Sequence, residues 1–180
     1  MATVISLETD RLILRQWQDE DREPFAQMNA DIEVMKYFPR CLSRLQSDAM
    51  LQRCRDLIAE RGWGFWAVEK KATGQFIGLV GLHQLVDEFP FSPCVEVGWR
   101  LSRPYWGQGY ATEAGRESLR FAFQTLQLPS VVSFTSLVNQ PSQAVMQRLG
   151  MMDTQENLLH PKIEAGHWLS EHVLYRISCL

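Results

Sequence analysis

Gly107 and Gly109 bracket a single residue inside the run Ser102-Arg103-Pro104-Tyr105-Trp106-Gly107-Gln108-Gly109-Tyr110-Ala111-Thr112. Two glycines at that spacing let a backbone turn tightly and leave its amides unshielded by side chains. A helix expected from about Tyr110 adds its own unpaired N–H groups and the positive end of its dipole. The chemistry of such a loop is anion binding, of an extent that suits a pyrophosphate. Two familiar loops do not fit. A Walker-type loop needs a lysine after its last glycine, and none lies near Gly109. A dinucleotide fingerprint needs a third glycine where Thr112 stands, and it follows its strand directly, whereas residues 102–106 intervene here.

A carboxylate is the second feature with chemical potential. Residues 94–101 read as a strand whose alternation puts Val95, Val97, Trp99 and Leu101 on one face and Glu96, Gly98 and Arg100 on the other. Glu96 therefore enters the middle of a strand. Farther on, Asn139 stands near the N-cap of a helix with an inner stripe of Ser142, Val145, Met146 and Leu149, closed by Gly150.

The elements that must position these residues follow from periodicity. Residues 9–17 are β-like, with Leu12 and Leu14 alternating against Arg11, Ile13 and Arg15. Asp19 offers an N-cap before Phe25 and Met28, and 32–37 reads as a short helix stopped near Pro39. Ser43-Arg44-Leu45-Gln46 has the form of a capping box, opening a helix that Gly62 ends. Residues 64–69 and 75–85 form a hairpin around a turn at 70–74, and 86–93 is a loop with Phe89, Pro90 and Phe91 at its tip. The helix from Tyr110 carries Leu119, Ala122, Phe123 and Leu126 at helical spacing until Pro129 prevents its continuation, and 130–138 is the next strand. Strand, crossover helix and strand imply two parallel neighbours. Residues 151–159 and 171–178 look like a closing pair of strands.

The bulk properties bound the class. At 180 residues, with 46% hydrophobic and 22% charged residues, the chain fits one globular domain spanning 1–180. A net charge of −3 without a basic run argues against nucleic acid as a partner. Cys41, Cys54, Cys94 and Cys179 show neither a CxxC pair nor a disulfide framework, which suits a reducing, cytoplasmic compartment. No apolar run is long enough for a signal peptide core or a membrane span, so no membrane partner is expected. His83, His160, His167 and His172 lack metal-ligand spacing, and no metal is expected.

The string Val95-Glu96-Val97-Gly98-Trp99, continuing through Tyr105-Trp106-Gly107-Gln108-Gly109-Tyr110-Ala111-Thr112-Glu113-Ala114, resembles the GNAT superfamily of acetyl-CoA-dependent N-acetyltransferases. Its loop reads Gln/Arg-x-x-Gly-x-Gly/Ala there, and this chain departs from it at Trp106. Tryptophan at that position is similar to the RimJ/RimL-type branch, which acetylates ribosomal-protein N-termini. Asn139-Gln140-Pro141-Ser142, Arg148-Leu149-Gly150 and, more loosely, Thr9-Asp10-Arg11-Leu12-Ile13-Leu14-Arg15 extend the resemblance over nearly the whole chain.

The resemblance implies an α/β fold with a mixed, strongly twisted central sheet of six or seven strands and helices on both faces. It implies acetyl-CoA as co-substrate, held by Gly98, Trp99 and Leu101 of the strand, by Trp106, Gly107, Gln108, Gly109, Tyr110, Ala111 and Thr112 of the loop, and by Asn139 and Ser142. The strand at 94–101 is expected to diverge from 130–138, leaving an edge for pantetheine and an N–H near Gly98 or Trp99 to polarise the thioester oxygen. Glu96 is then the candidate base that takes a proton from an ammonium group, against the alternative of a strand glutamate paired with Arg100. Ser142 is the candidate acid for the departing thiolate, and Asn139 is expected to serve both capping and binding. Direct attack by the amine is expected. Cys94 invites an acyl-enzyme but reads more simply as a small buried hydrophobe. The favoured acceptor is a protein N-terminal amine. A small amine, or a sensor that binds acetyl-CoA without turnover, stays open. The resembling families often form dimers, so a homodimer is an expectation, with Phe89 to Phe91 as contacts.

Overall fold

A computed structural model describes residues 1–179. In chain order its elements are β1 (Leu7–Glu8), β2 (Leu12–Arg15), α1 (Arg22–Ala30), α2 (Arg44–Arg61), β3 (Phe65–Lys70), β4 (Gln75–Leu85), β5 (Cys94–Leu101), α3 (Tyr110–Gln124), β6 (Ser130–Ser136), α4 (Gln140–Arg148), β7 (Met152–Asp153), β8 (Leu158–Leu159) and β9 (Glu171–Ser178). The sheet runs β1-β2-β3-β4-β5-β6-β9-β7, with β8 also on β9. Among the described residues its nine strands exceed the six or seven expected, because two-residue pieces flank the long strands. Every pairing is antiparallel except β5 with β6, which α3 joins as the crossover.

Local chemistry explains the element ends. The capping box at α2 forms: Ser43 Oγ accepts from the Gln46 amide at 3.2 Å and Gln46 Oε1 accepts from the Ser43 amide at 2.9 Å. Gly62, at φ 90°, donates to the Ile58 carbonyl at 2.7 Å and closes the helix. The short helix expected at 32–37 is instead a series of turns, with one i to i+4 bond from the Met35 amide to the Asp31 carbonyl. Six residues seldom repay helix nucleation, and Pro39 disfavours a helical Phe38 before it.

Two faces follow from alternation on β3. Trp66 meets Phe121 of α3 edge-on at 5.6 Å, so Phe65 beside it faces the other way, where α1 and α2 lie. On that second side Trp17, Phe25 and Phe76 form an aromatic cluster with centroids 4.8 to 6.1 Å apart. On the first side, Gly115 lets α3 approach the end of α4, since a Cβ there would stand 3.0 Å from Leu149 Cδ1.

Two expectations of exposure and burial change. Phe89 is only 9% exposed, stacked on Phe91 at 5.1 Å and packed on Phe134 of β6 at 4.7 Å. The loop tip thus folds onto its own sheet, which removes Phe89 as a dimer contact. On α4 the buried stripe is Gln143, Met146 and Leu149, with Ser142 half-buried at its edge. Gln143 goes inward because its Nε2 donates to the Leu137 carbonyl at 2.9 Å, satisfying the amide.

Candidate active site

β5 and β6 part company almost as soon as they meet. Glu96 opposite Val132 is their one parallel pair, and Ser133 Oγ donates to the Val97 carbonyl at 2.9 Å. Beyond that bond the β6-facing edge, presented by Trp99 and Leu101, carries no ladder to β6, while β4 pairs the opposite edge along all eight residues. The expected divergence is present, and it leaves a strip of backbone able to bond an extended ligand.

At the far end of β5 the loop is anchored by its tryptophan. Trp106 Nε1 donates to the Leu101 carbonyl at 2.8 Å, and Gln108 Nε2 donates to the Pro104 carbonyl at 2.9 Å. Gly107 and Gly109 have φ of 70° and 80°, the left-handed region that glycine enters without strain. Among the described residues nothing accepts from the amides of Gly107 through Thr112. Thr112 Oγ1 is buried there without a partner. The result is an open row of donors at the start of a 15-residue helix, on which the dipole favours negative charge.

Glu113, in the first turn of that helix, would repel an anion if left bare. Burial opposes its ionisation, but Thr9 Oγ1 at 2.7 Å, the Arg11 amide at 3.0 Å and Arg11 Nε at 2.7 Å hold its pKa below the usual carboxylate value. The Arg11 guanidinium also lies 4.3 Å from the Tyr110 ring. Asp10, Arg11, Lys70, Lys71, Ala72 and Tyr110 line a cavity of about 370 Å³ beside the loop, three cations against one carboxylate. This basic border was missed in the sequence, where Thr9 to Arg15 gave only a loose motif and no partner.

Glu96 faces His83 directly across the β4–β5 ladder. Its carboxylate bonds nothing among the described residues, and burial, with the charge of Glu88 second, pushes its pKa up to about 8. The His83 ring stacks on Phe65 at 5.6 Å, and burial followed by Arg53 and Arg61 lowers its pKa, so the imidazole is neutral at pH 7. Phe65, Gly81 and Gly98 lie in one row across three strands. A Cβ at Gly98 would come within 3.1 Å of the Phe65 ring, so glycine makes room for that wall. The pairing of Glu96 with Arg100 does not occur: Arg100 Nη1 donates to Asn29 Oδ1 at 2.8 Å instead.

These features combine a pyrophosphate-sized donor row, a splayed strand pair and an unpaired carboxylate at the split. A family model described as "Acetyltransferase (GNAT) domain" matches residues 11–152. The chain belongs to the GNAT acetyltransferase family. The FsC-acetyl coenzyme A-N(2)-transacetylase of Aspergillus fumigatus is 36% identical over 155 residues, covering 81% of this chain and 64% of that protein. The uncharacterized N-acetyltransferase YoaA of Bacillus subtilis is 29% identical over 146 residues, covering 80% of this chain and 81% of its own. A GNAT-family acetyltransferase from Bacillus anthracis superimposes with a TM-score of 0.80 at 22% identity, over 97% of this chain and 98% of the other, and so shares the fold.

This GNAT enzyme is an acetyl-CoA-dependent N-acetyltransferase. Its residues fit that co-substrate: the unclaimed amides from Gly107 to Thr112 suit the pyrophosphate, and the bare edge at Trp99 suits pantetheine, whereas the Gly98 backbone faces Gly81 of β4 and is not part of that edge. The Leu101 carbonyl on that edge already accepts from Trp106 Nε1. Asn139 is largely spent within the chain, its Oδ1 accepting from the Ser142 amide at 3.2 Å and its Nδ2 donating to Thr135 Oγ1 at 2.9 Å. Ser142 Oγ has no partner among the described residues, and nothing places it beside Glu96. Burial pushes the Cys94 thiol up to about 11, with Glu96 adding to the shift, which keeps it protonated and poorly nucleophilic. The described residues hold no cluster of His, Cys, Asp or Glu suited to a metal, and no helix long and apolar enough to cross a membrane.

Proposed function

We propose that this N-acetyltransferase moves an acetyl group to a primary amine by direct attack, with Glu96 as the base. The observation that carries the reading is an unpaired carboxylate, pushed up to about 8, standing where β5 and β6 separate. A group of that pKa takes a proton from an ammonium ion, directly or through water, without being drained by an ion pair. The backbone N–H of Trp99 lies on the bare edge and would polarise the thioester oxygen, while the Gly98 backbone turns to Gly81 of β4. Ser142 would return a proton to the departing thiolate, and Asn139 would hold the α4 start in place beneath it.

The protein N-terminal amine is the acceptor that the RimJ/RimL-type resemblance of residues 95–114 favours. A small amine is the alternative. A cytoplasmic homodimer is part of the same reading, and sedimentation at rising concentration tests the dimer. Coenzyme A release with a panel of N-terminal peptides and small amines tests the activity. Binding of acetyl-CoA without release from any acceptor would make the protein a sensor and remove the enzymatic reading.

A further inference from the structure

His83 of β4 stands directly across the ladder from Glu96 of β5, so the two side chains leave the same face of the sheet with Cβ atoms about 4.5 to 5.5 Å apart. The Phe65 ring, stacked on the imidazole at 5.6 Å and 22°, sets its plane. Neither Glu96 oxygen and neither His83 ring nitrogen bonds a described residue, and none of these four atoms is closed to water. The other three histidines are tied to backbone. Nδ1 of His160 accepts from the Lys162 amide at 3.1 Å, Nδ1 of His167 accepts from the Leu169 amide at 3.2 Å, and Nδ1 of His172 lies 3.4 Å from the Ser170 carbonyl. Among the described residues His83 is the histidine whose two nitrogens are both unclaimed.

The charges around this imidazole favour passing a proton on over storing it. Arg53 and Arg61 of α2 and Lys162, between β8 and β9, oppose an imidazolium, whereas Glu88 of the β4–β5 loop supports one and Glu96 faces it across the ladder. Burial leads these effects and lowers the pKa, so an imidazolium formed there gives its proton up readily. Glu88 is held below the usual carboxylate value by its own amide and by those of Val86 at 2.8 Å and Asp87 at 3.2 Å. Its negative charge acts on Glu96 and on His83 alike. A carboxyl group at the fork of the sheet, an imidazole beside it and an ionised carboxylate in the adjoining loop are thus set within electrostatic reach of one another.

Acetyl transfer leaves a proton over. As the C–N bond forms and the C–S bond breaks, the ammonium nitrogen gives up two protons; one ends on the coenzyme A sulfur and the other joins no product. With Glu96 as the base, that second proton sits on its carboxyl group, which at a pKa of about 8 keeps it at pH 7. It must leave before the next amine can be deprotonated. We propose that His83 removes it: the imidazole accepts the proton from Glu96, directly or through one water, and releases it to water beside Glu88. The proposal rests on reading Glu96 as the base. His83 acts through Glu96 rather than on the reacting atoms.

Coenzyme A release is followed at pH 7 in dilute buffer, with whichever of the N-terminal peptides and small amines is turned over fastest. In the wild type kcat should not change as imidazole is added, because the relay is built in; acceleration would show that bulk buffer carries the proton, and it overturns the proposal without any variant. His83→Ala should lower kcat about tenfold or more, leave the KM for acetyl-CoA close to wild type, and regain most of the loss as imidazole is added. His83→Gln, which keeps the space filled, should fall as far. A kcat within about twofold of wild type in either variant, or a fall in His83→Ala that imidazole does not relieve, overturns the proposal. The double variant Glu96→Gln with His83→Ala should be no slower than Glu96→Gln alone, and losses that multiply would make His83 independent of Glu96 and overturn it as well. Glu96→Gln also separates the two readings. If it is slow while both His83 variants match the wild type, the base stands and the relay falls. If it turns over normally, the base falls and the relay with it, as both do where no acceptor is acetylated.

Discussion

Glu96 and Val132 form the single parallel pair between β5 and β6, and the strands separate from that point toward the glycine loop. The carboxylate thus stands at the fork of the sheet, beside backbone that no strand claims. Glu96→Gln keeps the shape but not the basicity. Its kcat should fall by about a hundredfold or more, while acetyl-CoA affinity stays close to wild type. Steady-state kinetics beside a thermal titration with acetyl-CoA checks this. A purely structural glutamate predicts that both would fall together at every pH.

The same group sets a pH dependence. With its pKa pushed up to about 8 by burial, activity toward a fixed acceptor should rise with pH through that value. In Glu96→Gln the limb near pH 8 should vanish, leaving a rise only where solution supplies free amine. Stability runs the other way. The folded protein keeps a proton on Glu96 that the unfolded chain releases near pH 4.5, so unfolding becomes easier as pH climbs from there to about 8. Glu96→Gln lacks this loss and should gain on the wild type between pH 5 and pH 9, as denaturant titrations at those two values would read.

Acetyl-CoA well above its dissociation constant should raise the melting temperature of the wild type. Gly109→Asp should abolish that rise, because it sets a negative side chain among the free amides. Gly109→Ala separates strain from charge. At φ 80° an alanine lowers the melting temperature of the free protein, yet it should retain part of the acetyl-CoA response.

Trp106→Phe removes the indole bond to the Leu101 carbonyl and keeps an aromatic surface. A hydrogen bond of this kind is worth about 1 kcal/mol, so acetyl-CoA affinity should weaken several-fold as the loop loses its tie to β5. Calorimetric titration of the variant checks it, and unchanged affinity would leave the indole with no part in presenting the loop.

His172 of β9 is buried beside His160, and burial, with the charge of His160 second, lowers its pKa to about 4. The unfolded chain takes up a proton near pH 6.5 that the folded chain refuses until about 4, so stability should be lost as pH falls through that window. The loss should be on the order of 2 kcal/mol. His172→Phe should flatten it, as melting temperatures between pH 7 and pH 4.5 would show.

The features legible in the sequence are those that neighbours along the chain determine. The alternation of Cys94 to Leu101, the Ser43–Gln46 cap, the Asn139 cap and the left-handed glycines of the loop all depend on spacing and on φ, and spacing is what a sequence displays. The glycine loop and its tight turns are therefore legible in the sequence. Contacts between distant segments decided the rest. Glu113 is tamed by Thr9, 104 residues away, and Arg100 is held by Asn29, 71 residues away, which removes the alternative of a pair with Glu96 four residues off. Phe89 reads as an exposed loop tip until Phe134 is brought beneath it, and Gln143 displaces Ser142 from the inward stripe because the Leu137 carbonyl happens to meet it. Whether a polar group is spent or left open depends on which partner the fold delivers, and that is settled only when strands and helices far apart in the chain are packed together.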